Sequence, residues 1–267
     1  MAELYITEDM LEGIKGKVVL ITGGTSGIGL ATAQLCLQHG AQFDVSDWTS
    51  LRAFFDEAIS SAGRIDHVFA NAGIGPTIDF QNDVLDALGA LVPPDLRALN
   101  VNLVGAIYTL RLAMYYFRRF AQLQPQPGTR SIVFTASAAS YANNRAADYT
   151  TSKHGVLGIL RGLVAHLDPA VMRMNAVAPS WTVTSIVSAA LVEQMASTFQ
   201  SPEAVARSVL LLFADQTRHN EVIYSYTGRF REINLGEGGI LASARRTMQN
   251  PVDEDEVSKA LFEMGGR

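Results

Sequence analysis

The chain has 267 residues, 48% of them hydrophobic and 18% charged, with a formal net charge of −5. That length and apolar content can bury a substantial core and exclude intrinsic disorder over most of the chain. The acidic balance argues against nucleic acid or an anionic membrane as a partner, since both need clustered Lys and Arg. In chain order, Val18-Val19-Leu20-Ile21-Thr22 is a β-branched apolar run that reads as a buried strand. A glycine-rich turn, Gly23 to Gly29, opens a helical pattern over Leu30–His39 that Gly40 closes as a C-cap. A short Gln42–Val45 run, a helix from about Thr49 to Ala62 and a strand at His67–Ala70 follow. A long helix is predicted over about Pro94–Leu123, and then the Pro-rich turn Gln124–Gly128. Ser131–Ala136 reads as a strand, Ala147–Leu167 as a helix and Met172–Ala178 as a strand.

After Pro179 the pattern loosens over Ser180–Thr198, which reads as a lid spanning about residues 180–200. Ser201 caps a helix to Ala214 with Pro202 at its first position. Ile223–Leu235 holds a turn and a last strand, and a polar tail runs from about Ala242 to Arg267 with one weak helical stretch at Asp253–Phe262. Strands alternating with helices predict a doubly wound parallel sheet in three α/β/α layers. No repeat, low-complexity tract or linker divides the chain, so residues 1–267 read as one domain.

Two short patterns carry chemistry. The turn Thr22-Gly23-Gly24-Thr25-Ser26-Gly27-Ile28-Gly29 lies between a strand and a helix. Glycines there let the backbone approach a pyrophosphate, and the helix N-terminus adds free N–H groups and positive dipole. The second pattern is Tyr149-Thr150-Thr151-Ser152-Lys153, which sets a tyrosine and a lysine one helical turn apart on one face. A tyrosine of pKa ~10 is a poor proton shuttle at neutral pH, and a nearby cation stabilises its phenolate.

With these motifs the chain resembles the classical short-chain dehydrogenase/reductase family over roughly Lys15 to Gly239. The resemblance rests on the Thr22–Gly29 turn, Asn71-Ala72-Gly73, Asn102-Leu103-Val104-Gly105, the strand-end Ser137, the Tyr149/Lys153 pair and the Pro179-to-Thr184 segment. It implies a Rossmann-like fold and a catalytic set of Asn102, Ser137, Tyr149 and Lys153. Tyr149 would be the general acid/base, and Lys153 would bind the nicotinamide ribose and lower the Tyr149 pKa. Ser137 would hydrogen-bond the substrate oxygen, and Asn102 would hold a water that relays protons from Lys153. Gly23, Gly27 and Gly29 would cradle the pyrophosphate with Ile28 beside it, Asn71 and Gly73 would line the adenosine side, and Thr184 would anchor the carboxamide. Thr25, Ser26, Ala72, Pro179 and Thr182 complete the implied cofactor contacts, for NAD or NADP.

The pattern breaks after the first helix. From Asp44 to Asn71 the spacing matches the family, but Gly23 to Asp44 is roughly half the family's distance. About one strand and one helix are absent by this count, so the sheet is expected to be one strand short of seven. The absent strand would end in the residue that reads the adenosine ribose. Spacing alone nominates Asp44 or Asp47 for that task, whereas the family's order makes Asp44-Val45 the pair bordering adenine.

The expected activity is a nicotinamide-dependent interconversion of a secondary alcohol and a ketone on a small apolar molecule. Membership among fungal secondary-metabolite tailoring enzymes is a further resemblance. An alternative is a catalytically impaired or non-redox family member acting as a binding or partner subunit. A third reading has the same residues perform a dehydration or isomerisation. The resemblance also implies a homodimer or homotetramer built from the helices near Val101–Leu123 and Tyr149–Leu167. The single cysteine, Cys36, rules out an internal disulfide and reads as core. The five histidines show no metal-ligand spacing, so no metal site is expected. Trp181, Phe199 and Met195 read equally as substrate-pocket lining or lid packing. With no apolar signal core and no window near ~18 apolar residues, a cytoplasmic location is expected and no membrane span.

Overall fold

The structure, a computed structural model, describes residues 2–36, 45–123 and 130–248. Six strands form one sheet whose spatial order follows the chain: β1 (Val19–Ile21), β2 (His67–Ala70), β3 (Arg130–Thr135), β4 (Met172–Pro179), β5 (Val222–Tyr226) and β6 (Arg229–Glu232). The first five are parallel, and β6 returns antiparallel to β5. Thr227 and Gly228 join that last pair, both with positive φ (47° and 79°), the backbone that a two-residue hairpin turn demands.

The parallel strands are buried on both faces because both faces are covered. One face carries α2 (Trp48–Ala62), α4 (Gly105–Leu123) and α5 (Ala147–Leu163), with Phe55, Phe117, Ile132, Phe134 and Leu160 in a common core. The other carries α1 (Gly27–Leu35) and α7 (Pro202–Ala214), packed on Phe69, Val133, Val177 and Ile223. Each fully buried Phe or Leu contributes ~2 kcal/mol of apolar burial. Cys36 belongs to this second layer, and burial pushes its thiol up to about 11, which suits a core residue rather than a nucleophile.

α1 and α2 lie on opposite faces of the sheet. No strand stands between those helices among the described residues, and β1 pairs only with β2 there. Asp44, the expected helix end at His39–Gly40 and most of the Gln42–Val45 run lie outside the described residues, as do the turn Gln124–Gly128 and the stretch Asp253–Phe262. α2 begins where Asp47 accepts a hydrogen bond from the Ser50 N–H at 2.6 Å, so this aspartate is spent on a helix cap.

Three expectations on boundaries are corrected. The helix predicted over Pro94–Leu123 starts as α3 (Arg97–Leu99), widens into a π turn at Asn100–Val104 and resumes as α4. The helix predicted to Leu167 ends at Leu163, where a 3₁₀ turn takes over. The polar tail does not begin at Ala242, because Ile240–Met248 forms α8, tied down by Ile240 N–H to the Ile233 carbonyl at 2.8 Å. The lid segment contains α6 (Ala189–Gln194), capped by Ser188.

Candidate active site

A cleft of about 490 Å³ opens where β1 to β4 end. At the β1 end, Thr22 ties two strand ends together. Its hydroxyl donates to the Phe69 carbonyl at 3.3 Å and accepts from the N–H groups of Asn71 (2.9 Å) and Ala72 (3.1 Å). The Asn71 amide donates to the Thr22 carbonyl at 3.1 Å and accepts from the Thr135 hydroxyl at 3.1 Å, which adds β3 to the knot. Gly23 has φ 68° and Gly27 φ 52°, a left-handed backbone that bends the turn around the cleft. A Cβ on Gly29 would stand 2.2 Å from the Gly23 carbonyl oxygen, so helix and turn close only on a glycine. Ser26 caps α1 without a side-chain bond, which leaves the first N–H groups of that helix available to an anion.

At the other end, three elements converge. Ser137 sits just past β3, and its oxygen accepts from the Ala139 N–H at 3.1 Å. That bond uses a lone pair and leaves the hydroxyl hydrogen to point at the Tyr149 oxygen. Tyr149 and Lys153 project from the first turns of α5 into the same space. Burial raises the Tyr149 phenol, and a hydrogen bond with Ser137 partly offsets this. Lys153 is 3% exposed, and desolvation lowers its ammonium to about 8. The Lys153 ammonium donates to the Thr135 carbonyl at 2.8 Å and lies 5.7 Å from the Tyr149 ring centroid. The expected depression of the Tyr149 pKa by Lys153 is therefore not the leading effect in this geometry.

Asn102 stands behind the cleft rather than in its wall. Its Oδ1 accepts from the Ile74 N–H at 2.8 Å, and its Nδ2 donates to the Ile74 carbonyl (3.0 Å) and to the Ser152 hydroxyl (3.1 Å). The Ser152 hydroxyl in turn donates to the Tyr149 carbonyl at 2.7 Å. The amide thus locks the loop after β2 to the turn of α5 that carries Tyr149. Gly73 permits this, since a Cβ there would lie 3.2 Å from Asn102 Oδ1 and 3.5 Å from Lys153 Nζ.

Of the residues singled out in the sequence, the cleft brings together Ser26, Ile28, Ala72, Ser137, Tyr149, Lys153, Pro179, Thr182 and Thr184 with Gly23, Gly27, Asn71 and Gly73. Thr25 is exposed and outside the cleft wall. Val45 is 5% exposed and packs against Gly105, where a Cβ would come within 2.9 Å of its methyl, so it belongs to the core and not to the cleft. Thr182 is buried with its hydroxyl bonded to the Ser180 carbonyl at 2.8 Å. Trp181 lines the cleft and packs at 5.9 Å on Phe199, whereas Met195 stays outside.

Sequence reasoning passed over Asp148. This carboxylate is 3% exposed and accepts from the Thr77 N–H (2.7 Å), the Thr77 hydroxyl (3.2 Å) and the Ile78 N–H (3.2 Å). Burial alone would raise its pKa, but these bonds hold it below the ordinary carboxyl value. An acid in the first turn of a helix is the available signal, and by itself it points only to the helix dipole. Lys153 is the one charged side chain among the described residues that line the cleft.

The glycine cradle and the free helix N-terminus fit the anionic pyrophosphate of a dinucleotide. Comparisons with known proteins agree with this architecture. A family profile described as enoyl-(acyl carrier protein) reductase matches residues 41–219. The short-chain dehydrogenase/reductase ascJ of Acremonium egyptiacum is 37% identical, over 99% of this chain and 97% of its own length. That alignment spans 293 positions against a chain of 267, so the relative carries residues with no counterpart here. The (+)-borneol dehydrogenase 1 of Salvia officinalis is 32% identical, over 65% of this chain and 72% of its own. Among solved structures, the 3-ketoacyl-(acyl-carrier-protein) reductase of Brucella melitensis complexed with NADH superposes with a TM-score of 0.68 at 20% identity, covering 80% of this chain and 98% of that one. Fold, cleft and relatives converge: the chain belongs to the short-chain dehydrogenase/reductase family of oxidoreductases.

Proposed function

We propose that the protein interconverts a neutral, apolar secondary alcohol and its ketone with NAD or NADP. The carrying observation is the convergence of Ser137, Tyr149 and Lys153 on one point at the end of β3. A bound nicotinamide would accept or supply hydride at the carbinol carbon. The Ser137 hydroxyl, which points at Tyr149 in this structure, turns to hold the substrate oxygen. The Tyr149 oxygen takes the hydroxyl proton in oxidation and returns it in reduction. Lys153 supplies positive charge beside the phenol and hydrogen-bond donors for ribose hydroxyls, with the Thr135 carbonyl fixing its rotamer.

Substrate class follows from the wall chemistry. Beyond Ser137 one wall is Ala138, Ala139, Ala142 and Ala146, and the facing lid offers Trp181, Ile186, Val187 and Leu191. With Lys153 already engaged, this wall has no cation for a carboxylate or phosphate substrate and favours an uncharged ring or chain.

The test pairs fluorescence titration of NADH and NADPH with turnover on a panel of secondary alcohols and ketones. Tyr149→Phe should lower turnover by about 10³-fold and leave cofactor affinity within a few-fold. A binding-only subunit is the second reading, motivated by the cleft wall, to which no described residue between Ile28 and Asn71 contributes. It predicts cofactor or ligand binding with no Tyr149-dependent turnover. Product formed without change in nicotinamide absorbance would instead point to dehydration or isomerisation.

A further inference from the structure

We infer that Gln200, which does not line the cleft, is a positioning residue that sets the cofactor-facing start of the lid. The lid leaves the sheet at Ser180 and returns at Gln200, one residue before the cap of α7. Its two ends meet as a short parallel bridge: the Val183 N–H donates to the Gln200 carbonyl and the Gln200 N–H to the Trp181 carbonyl, both at 3.0 Å. The Gln200 side chain is 4% exposed. Its Nε2 donates to the Thr182 hydroxyl (3.2 Å), the Ser225 carbonyl (3.1 Å) and the Ser225 hydroxyl (3.0 Å), and its Oε1 accepts from the Gly228 N–H (3.4 Å). One amide therefore joins both ends of the lid to β5 and to the β5–β6 turn.

Two residues beyond Thr182 lies Thr184, whose methyl sits 3.1 Å from where a Cβ on Gly27 would be. Ile186 stands 3.2 Å from the equivalent point on Gly75. The lid thus spans the cleft from the glycine turn to the loop after β2, and its start is aimed from Gln200. The bridge of backbone bonds survives any side chain but proline at position 200, whereas the link to Thr182 and Ser225 needs a donor there and the link to Gly228 an acceptor. Losing that link frees the angle of residues 182–184 without opening the core.

This inference rests on the dinucleotide reading of the cleft, and its test separates the two. In the full chain, Gln200→Leu should keep the wild-type circular dichroism, weaken NADH or NADPH binding about tenfold, and leave kcat at saturating cofactor near wild type. Chymotryptic cleavage at Trp181 or Phe199 should quicken. Gln200→Glu adds a pH signature, since its carboxylate cannot donate while its acid form can. Its cofactor affinity relative to wild type should recover as pH falls through the carboxyl range. A folded Gln200→Leu protein with wild-type affinity and wild-type cleavage overturns the proposal. If Gln200→Leu does not fold, a flat pH ratio in Gln200→Glu overturns it, and failure of both to fold assigns the amide to folding instead. If the wild type binds neither dinucleotide, the parent reading fails and the cleavage rates alone decide the clamp.

Discussion

The two ends of the cleft are built differently. At the Tyr149 end, polar side chains tie elements together: Asn102 of the π turn bonds the Ile74 backbone and Ser152, Ser152 bonds the Tyr149 carbonyl, and Lys153 bonds the Thr135 carbonyl of β3. At the β1 end the chain supplies backbone: three glycines, a helix terminus and a three-residue strand. Reaction geometry is over-determined, whereas cofactor geometry leans on a turn and a lid. Disturbance should therefore be felt as lost turnover at one end and as lost affinity or lost folding at the other.

The largest effect is expected at the dense end. Lys153→Met should cut turnover about 10³-fold and yet raise stability by ~1–3 kcal/mol, because it removes a desolvated ammonium. The sign can be checked by pH. With Lys153 lowered from 10.5 to about 8, the unfolded chain holds an extra proton between those values. Wild-type stability should rise with pH across that window, and the variant should lose the slope, as denaturant midpoints would show.

Gly29→Ala comes next and tests the glycine end. Its Cβ would meet the Gly23 carbonyl oxygen at 2.2 Å and the Asn71 amide at 2.6 Å. A loss of about 3 kcal/mol together with cofactor binding is expected in thermal melts and titrations. Asp148→Ala follows at about 2 kcal/mol, since it strands the N–H donors of Thr77 and Ile78, while the Thr77 hydroxyl keeps the Asp95 carbonyl. The stability that Asp148 gives is complete above the ordinary carboxyl range and lost as pH falls through its lowered pKa, so the variant should show a shallower acid limb. Smallest is Val45→Ala, expected to cost about 1.5 kcal/mol while leaving NADH and NADPH affinities unchanged. A loss of affinity there would return Val45 to the cofactor site and narrow the contrast between the two ends.

The alternation of strands and helices was legible because buried parallel strands and amphipathic helices write different periods. The pairing of Tyr149 with Lys153 was legible in its one-turn spacing, whereas Ser137 was singled out only by the resemblance to the family. What escaped were residues whose partners lie far away in sequence. Asp148 meets Thr77 and Gln200 meets Ser225, and neither pairing leaves a local pattern. Val45 shows the same limit: its neighbours in sequence suit a cofactor contact, its neighbour in space is Gly105, and the affinity of Val45→Ala decides between the two. The count of six strands came from spacing alone, since a crossover cannot be made from the few residues between Gly40 and Asp44.

The π turn before α4 has a consequence for how much length change this chain tolerates. Ala98, Asn102, Ala106 and Leu110 are all buried and recur every fourth residue. On an ideal α-helix each such step overshoots a full turn by about 40°, so three steps would swing Leu110 a third of the way round from Ala98. Wider turns absorb that drift, and the Gly105 N–H reaches back five residues to the Asn100 carbonyl to make one. Deleting Leu103 or Val104 would let ordinary winding take over, and seven steps of about 100° would bring Leu110 within about 20° of its present alignment with Asn102. Inserting a residue would instead demand a further wide turn, or swing the sheet-facing stripe of α4 by about 100° away from Asn102 and its bonds to Ile74. The segment thus bears the loss of a residue better than a gain, whereas the exposed excursion around Gly89, closed by its own hairpin bonds, carries no such constraint.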